Sequence, residues 1–129
     1  KFDFIIIDAP CSAIGTIRKN PEIFFKSKIP DFDGLHNLQQ NMLEKAALLL
    51  NVGGNILYMT CSFLKNETFD QINEFLKKNN NFLIANFILT EENYKFSKLL
   101  KNNLMITIPD KILNNNIDGY FAAYLKKIK

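Results

Sequence analysis

A strand-helix-strand rhythm constrains this chain more than any other feature of its sequence. Residues 2–8 read Phe-Asp-Phe-Ile-Ile-Ile-Asp, a short continuous apolar run closed by an acid. Such a run fits a strand buried on both faces, as in a parallel sheet. From Leu35 to Leu50 the apolar positions Leu35, Leu38, Met42, Leu43, Ala46, Leu49 and Leu50 follow a helical period. Gly53-Gly54 then read as the stop and turn, and residues 55–60 as a second buried strand. Two strands joined through a helix demand a right-handed crossover and a parallel sheet with helices on its faces.

The rest of the chain extends this α/β pattern. Residues 65–78 place Phe69, Ile72, Phe75 and Leu76 on one helical face. Residues 82–89 read as a third strand, and residues 91–102 as a polar segment with helical tendency. Residues 104–109 and 119–126 alternate as two further strands. The stretch 9–34 is different. It holds Pro10, Pro21, Pro30, Gly15 and Gly34, with a short turn expected near Pro21 to Phe25. A connection this long in a small domain usually carries function. Phe2 and Phe4 are expected in the core with Phe69 and Phe75. Phe24 and Phe25 are expected to pack beneath the loop, with base stacking as the functional counterpart. His36 is expected on a helix surface, and the Lys pairs at 77–78 and 126–127 on solvated faces.

Composition excludes several classes. The 129 residues carry a net charge of +3, which permits a nucleic-acid partner without demanding one. No stretch approaches the ~20 apolar residues of a membrane span, so no membrane partner is expected. Two separated cysteines and a single histidine make neither a disulfide framework nor a zinc site, and no metal is expected.

Chemistry concentrates in Asp8-Ala-Pro-Cys-Ser12 and Thr60-Cys-Ser62. Each lies just past the carboxyl end of an expected strand, where open α/β sheets bind ligands. If those strands are parallel neighbours, Cys11 and Cys61 converge on one cleft. A thiolate is a soft nucleophile. Addition to carbon 6 of a cytosine ring makes carbon 5 nucleophilic. A nearby carboxyl favours that addition as charge develops on the ring. A second thiol can assist departure of the first. The residue types therefore suit covalent methylation of a base.

These segments, with Ala13 to Glu22, Leu38-Gln39, Val52-Gly-Gly-Asn-Ile-Leu-Tyr-Met59, Glu67 and Asp118-Gly-Tyr-Phe-Ala122, resemble the RNA cytosine-C5 methyltransferases of the Sun type, most closely the bacterial 16S ribosomal RNA branch. The resemblance implies a Rossmann-like S-adenosylmethionine-dependent methyltransferase sheet, its parallel strands flanked by helices and its last strands forming a terminal antiparallel hairpin. It implies Cys61 as the nucleophile and Cys11 as the cysteine that assists release. It puts Asp8 and Pro10 at the cofactor and target-base site, and makes Arg18 and Lys19 candidates for RNA contact. S-adenosylmethionine is the implied cofactor, ribosomal RNA the implied partner, and the cytoplasm the implied location. Ile14 departs from the usual small residue, and Asn66-Glu67-Thr68 from the usual Glu-Glu-Asn. The family's glycine-rich cofactor loop and amino-terminal RNA-binding domain are not in the sequence. Residues 1–129 are therefore expected to be the carboxyl-terminal part of the catalytic domain. Three alternatives stay open: an inactive remnant or split half that works only with a separate amino-terminal half, a methyltransferase of another RNA such as tRNA, and one acting on DNA cytosine.

Overall fold

A computed structural model describes residues 1–112 and 115–129. The chain opens with strand β1 (Phe2–Asp8), then runs through a loop with 3-10 turns at Ile14–Thr16 and Pro21–Phe25. Helix α1 (Phe32–Leu49) follows, then β2 (Leu50–Thr60), a 3-10 turn at Lys65–Glu67, and α2 (Phe69–Lys78). After β3 (Phe82–Ile84) and a 3-10 turn at Tyr94–Leu99 come β4 (Leu100–Lys101) and β5 (Leu104–Ile106). A small hairpin, β6 (Asp110–Ile112) and β7 (Asn115–Ile117), precedes the last strand, β8 (Phe121–Lys127).

The main sheet runs β1-β2-β8-β5-β4, with β3 also paired to β8. The β1-α1-β2 unit yields the expected parallel pair, with Asp8 in register with Met59. Beyond β2 the pattern changes. β8 pairs antiparallel to β2, β3 and β5, so β2 and β3 run the same way with β8 slotted between them. That arrangement also shortens β3. It holds β8 at Leu125 to Lys127, while β5 claims Phe121 to Ala123 on the same edge. The expected strand over 82–89 therefore stops at Ile84, and the one over 104–109 at Ile106.

Other boundaries shift for local reasons. α1 begins three residues before the expected start, because the Asp31 side chain accepts a hydrogen bond from the Gly34 amide and caps the helix there. It ends without a glycine. Lys127 Nζ donates to the carbonyls of Ala47 and Leu50, so this lysine caps a helix terminus rather than sitting on a solvated face. Gly53 and Gly54 lie inside β2, not in a turn before it. Gly53 takes φ 84° where the β1–β2 register slips between Phe2 and Phe4. The polar segment 91–102 forms only a short 3-10 turn. It then turns into β4 and β5 through Asn102 and Asn103, both at positive φ, as a two-residue hairpin requires.

Both helices lie on one face of the sheet. Leu43, Ala46 and Ala47 of α1 and Ile72 and Phe75 of α2 share a core with Ile7, Ile56, Tyr58, Phe121, Ala123 and Leu125. Among the described residues no α-helix covers the other face. Phe4 and Ile6 are 46% and 58% exposed there, and Phe2 is exposed as well. The expectations that β1 is buried on both faces, and that Phe2 and Phe4 belong to the core, are therefore corrected. β1 is an edge strand, and only its alternate residues face helices. Phe25 is 85% exposed and Phe24 is also exposed, so neither packs beneath its loop. Within α1, Leu38 and Leu49 are exposed, while Gln39 and Gln40 take buried positions. No described helix is long and apolar enough to cross a membrane.

Candidate active site

The parallel pairing of β1 with β2 sets the carboxyl ends of both strands side by side, and the backbone beyond keeps them together. Ala9 donates its amide to the Met59 carbonyl at 2.9 Å. The loop then folds back, so that the Gly15 amide donates to the Cys61 carbonyl at 3.0 Å. A third segment joins where the Gly119 amide donates to the Gly15 carbonyl at 2.7 Å. Only glycine permits this crossing: a Cβ on Gly15 would stand 1.8 Å from the Gly119 carbonyl oxygen and 2.8 Å from that of Cys61.

Within this frame the sulfurs of Cys11 and Cys61 approach to 3.1 Å. Both are half-buried free thiols. Burial first, and then the contact with Cys61, push the Cys11 thiol up to about 12. At neutral pH Cys11 is thus a protonated thiol, able to donate a hydrogen bond to the neighbouring sulfur. Burial, with Cys11 and Glu67 nearby, likewise keeps the Tyr58 phenol neutral.

The flanking residues fix both sulfurs in place. On the β2 side, Ser62 is buried and its hydroxyl accepts from the Leu64 amide at 3.1 Å, which sets the turn after Cys61. On the other side, the Pro10 carbonyl accepts from Gln39 Nε2 at 2.8 Å. Ser12 donates both its amide and its hydroxyl to the Glu67 carboxylate, at 2.7 and 2.6 Å. Between Cys11 and the turn, Ala13 holds φ 59°, a left-handed conformation that costs a non-glycine residue about 1–2 kcal/mol. The tethers on either side hold it there.

Asp8 ends β1 as an exposed carboxylate with no hydrogen bond or ion pair among the described residues. Pro10, also exposed, follows it at the same strand end. An unengaged acid at the carboxyl end of β1 is open to a ligand's hydroxyl, amine or ring nitrogen. Arg18 and Lys19 are engaged instead. Arg18 Nε and Lys19 Nζ contact the two carboxylate oxygens of Asp118 at 3.0 and 2.9 Å. Lys19 foremost, and Arg18 with it, hold the Asp118 carboxyl below its usual range. These residues line a cavity of about 350 Å³ with Thr107 and Tyr120. His36 bridges helices rather than standing on a surface. Its Nε2 meets Glu74 at 2.9 Å, and its Nδ1 meets the Gln71 side chain at 2.8 Å.

Motif and strand position single out both cysteines and Asp8 in the sequence. The roles of Gln39, Glu67 and Asp118 as local anchors do not emerge from it. For Gln39 a signal is present: it falls on the buried stripe of α1, four residues before Leu43, where an amide needs a partner.

Comparisons with known proteins place the chain in a family. A family model described as 16S rRNA methyltransferase RsmB/F matches residues 1–126. A ribosomal RNA small subunit methyltransferase B from Photorhabdus laumondii is 36% identical over 127 residues, covering 98% of this chain and 27% of that protein. A tRNA (cytosine(34)-C(5))-methyltransferase from Drosophila melanogaster is 45% identical over 62 residues, covering 48% of this chain and 8% of that protein. The crystal structure of PH0851 superposes with a TM-score of 0.79 at 31% identity, covering 97% of this chain and 26% of that one. The chain thus spans about a quarter of the length of the Photorhabdus relative and of PH0851. A mixed sheet that brings two motif cysteines together, and a family model that runs from the first residue almost to the last, lead to one conclusion: the chain belongs to the 16S rRNA methyltransferase RsmB/F family.

Proposed function

We propose that the protein to which this chain belongs transfers a methyl group from S-adenosylmethionine to carbon 5 of a cytosine in ribosomal RNA, through a covalent adduct on Cys61. The observation that carries this reading is the 3.1 Å approach of two half-buried thiols, one of them held protonated, at the carboxyl end of parallel strands. The target base must leave its stack to reach such a site. Cys61 sulfur bonds to carbon 6, and the carbon 5–carbon 6 double bond becomes a nucleophilic enamine. The Asp8 carboxylate accepts a hydrogen bond from the exocyclic amine or from a protonated ring nitrogen 3 and so supports the polarised ring. Asp8 and Pro10 would hold S-adenosylmethionine, which would supply the methyl group for carbon 5 and leave as S-adenosylhomocysteine. Water then takes the proton from carbon 5, the carbon 6–sulfur bond breaks with its electron pair returning to the Cys61 sulfur, and the double bond is restored. Cys11, neutral and adjacent, donates its S–H toward the departing Cys61 sulfur and so favours release. Arg18 and Lys19 add positive charge for the phosphate backbone, although Asp118 offsets part of it. Ribosomal RNA places the reaction in the cytoplasm.

The test uses the intact protein, target RNA and methyl donor, with denaturing gels to detect RNA–protein adducts. Cys61→Ala is expected to abolish adduct and methylation. Cys11→Ala is expected to accumulate adduct. Adduct on the Cys61→Ala variant would assign the nucleophile to Cys11 and reverse the roles of the two cysteines. Transfer RNA serves as the competing substrate, because the Drosophila relative is named for one.

A further inference from the structure

The loop carrying Cys11 is held on both sides of the cysteine, and the stronger hold comes from Glu67. This residue is 1% exposed. A carboxylate that deep persists only where its oxygens are engaged, and both of them face Ser12. One accepts the Ser12 amide at 2.7 Å and the other the Ser12 hydroxyl at 2.6 Å. Glu67 is itself fixed from below, where the buried Tyr58 hydroxyl donates to its main-chain carbonyl at 3.1 Å. One residue thereby links the interior of β2 to the residue directly after Cys11. Gln39, on the preceding side, holds Pro10.

We propose that Glu67 is a positioning residue: through its two bonds to Ser12 it sets where the Cys11 thiol stands relative to Cys61. The proposal rests on the reading that these thiols act as a pair. Loss of the carboxylate leaves the Ser12 amide and hydroxyl without their acceptors, in a loop that already holds Ala13 at φ 59°. The loop then relaxes and the sulfurs separate. A displacement of about 1 Å in such a pair is enough to cost about a hundredfold in rate.

Phenylarsine oxide reads this geometry without RNA or methyl donor. The arsenical forms two arsenic–sulfur bonds with adjacent thiols and releases its oxygen as water with the two thiol protons. Capture is measured on the intact protein, with Cys11→Ala and Cys61→Ala setting the single-thiol baseline and near-ultraviolet circular dichroism reporting folding. Glu67→Ala is expected to slow closure of the second bond by about tenfold or more. Glu67→Gln keeps an acceptor for the Ser12 amide and is expected to return capture to within about threefold of the parent. Adding Ser12→Ala to Glu67→Ala is expected to change nothing further, since both act through one contact. A folded Glu67→Ala variant with parental capture overturns the proposal, as does a Glu67→Gln variant no faster than Glu67→Ala. If Glu67→Ala does not fold, Ser12→Ala decides: slowed capture supports the proposal and unchanged capture overturns it. Because the readout involves no methyl transfer, its failure leaves the methylation reading standing. Failure of the adduct experiment likewise leaves this result standing.

Discussion

The two faces of the sheet meet opposite fates although one strand supplies both. Ile7 of β1 is buried in the core on the helix-covered face, while its neighbour Ile6 is 58% exposed. The face with helices does more than bury apolar surface. Its elements reach past the strand ends and deliver Gln39 and Glu67 to the loop around Cys11. The face without helices offers Phe4 and Ile6 and, among the described residues, no side-chain hydrogen bond to that loop. The site is thus ordered from one side of the sheet, and the precision of the thiol pair depends on that side's packing.

The largest expected effect contrasts the two faces directly. Phe75 of α2 is fully buried against Phe82, edge to face at 5.1 Å. Phe75→Ala is expected to cost about 3–5 kcal/mol in urea-denaturation midpoints read through the m-value. Ile6→Ala is expected to cost about 0.5 kcal/mol or less. Equal losses would mean that the face of β1 opposite the helices is covered in solution. A second measurement probes the crossing at Gly15. Gly15→Ala forces a methyl against two carbonyl oxygens and is expected to cost about 1–3 kcal/mol, with arsenical capture of the thiol pair falling alongside. Stability loss with unchanged capture would show that the tethers at Pro10 and Ser12 suffice without this contact.

The smallest effect sharpens the picture at the thiols. Because burial raises the folded-state pKa of Cys11 from 9.0 to about 12, its alkylation rate is expected to keep climbing through pH 10 and 11. A plateau near pH 9 in mass-spectrometric labelling would mean the loop leaves Cys11 open to water. Linkage carries the same sign. A raised pKa contributes stability that is fully present below pH 9.0 and is lost as pH rises toward 12.

Much of the site was legible in the sequence because its signals are local. A β-branched run closed by Asp8, a helical period, a second run closed by Thr60, and a cysteine after each strand are enough to predict a shared cleft. The first and second strands and both helices appear near their expected places. Errors gather where a neighbour decides. β3 is cut short because β5 competes for the same edge of β8, and no property of residues 82–89 announces that competition. The turn at Asn102-Asn103 is different: its asparagines carry a hairpin signal that the helical tendency of the preceding residues obscures.

The sequence by itself determined the periods of the elements and the pairing of two thiol-bearing loops, because alternation, capping and strand order act over a few residues or one crossover. Only the tertiary structure decided that β8 enters antiparallel between β2 and β3, that one face of β1 stays open, and that Glu67 grips Ser12 across 55 positions. Periodicity tells which way a side chain points, whereas burial and hydrogen bonding depend on what arrives to meet it from elsewhere in the chain.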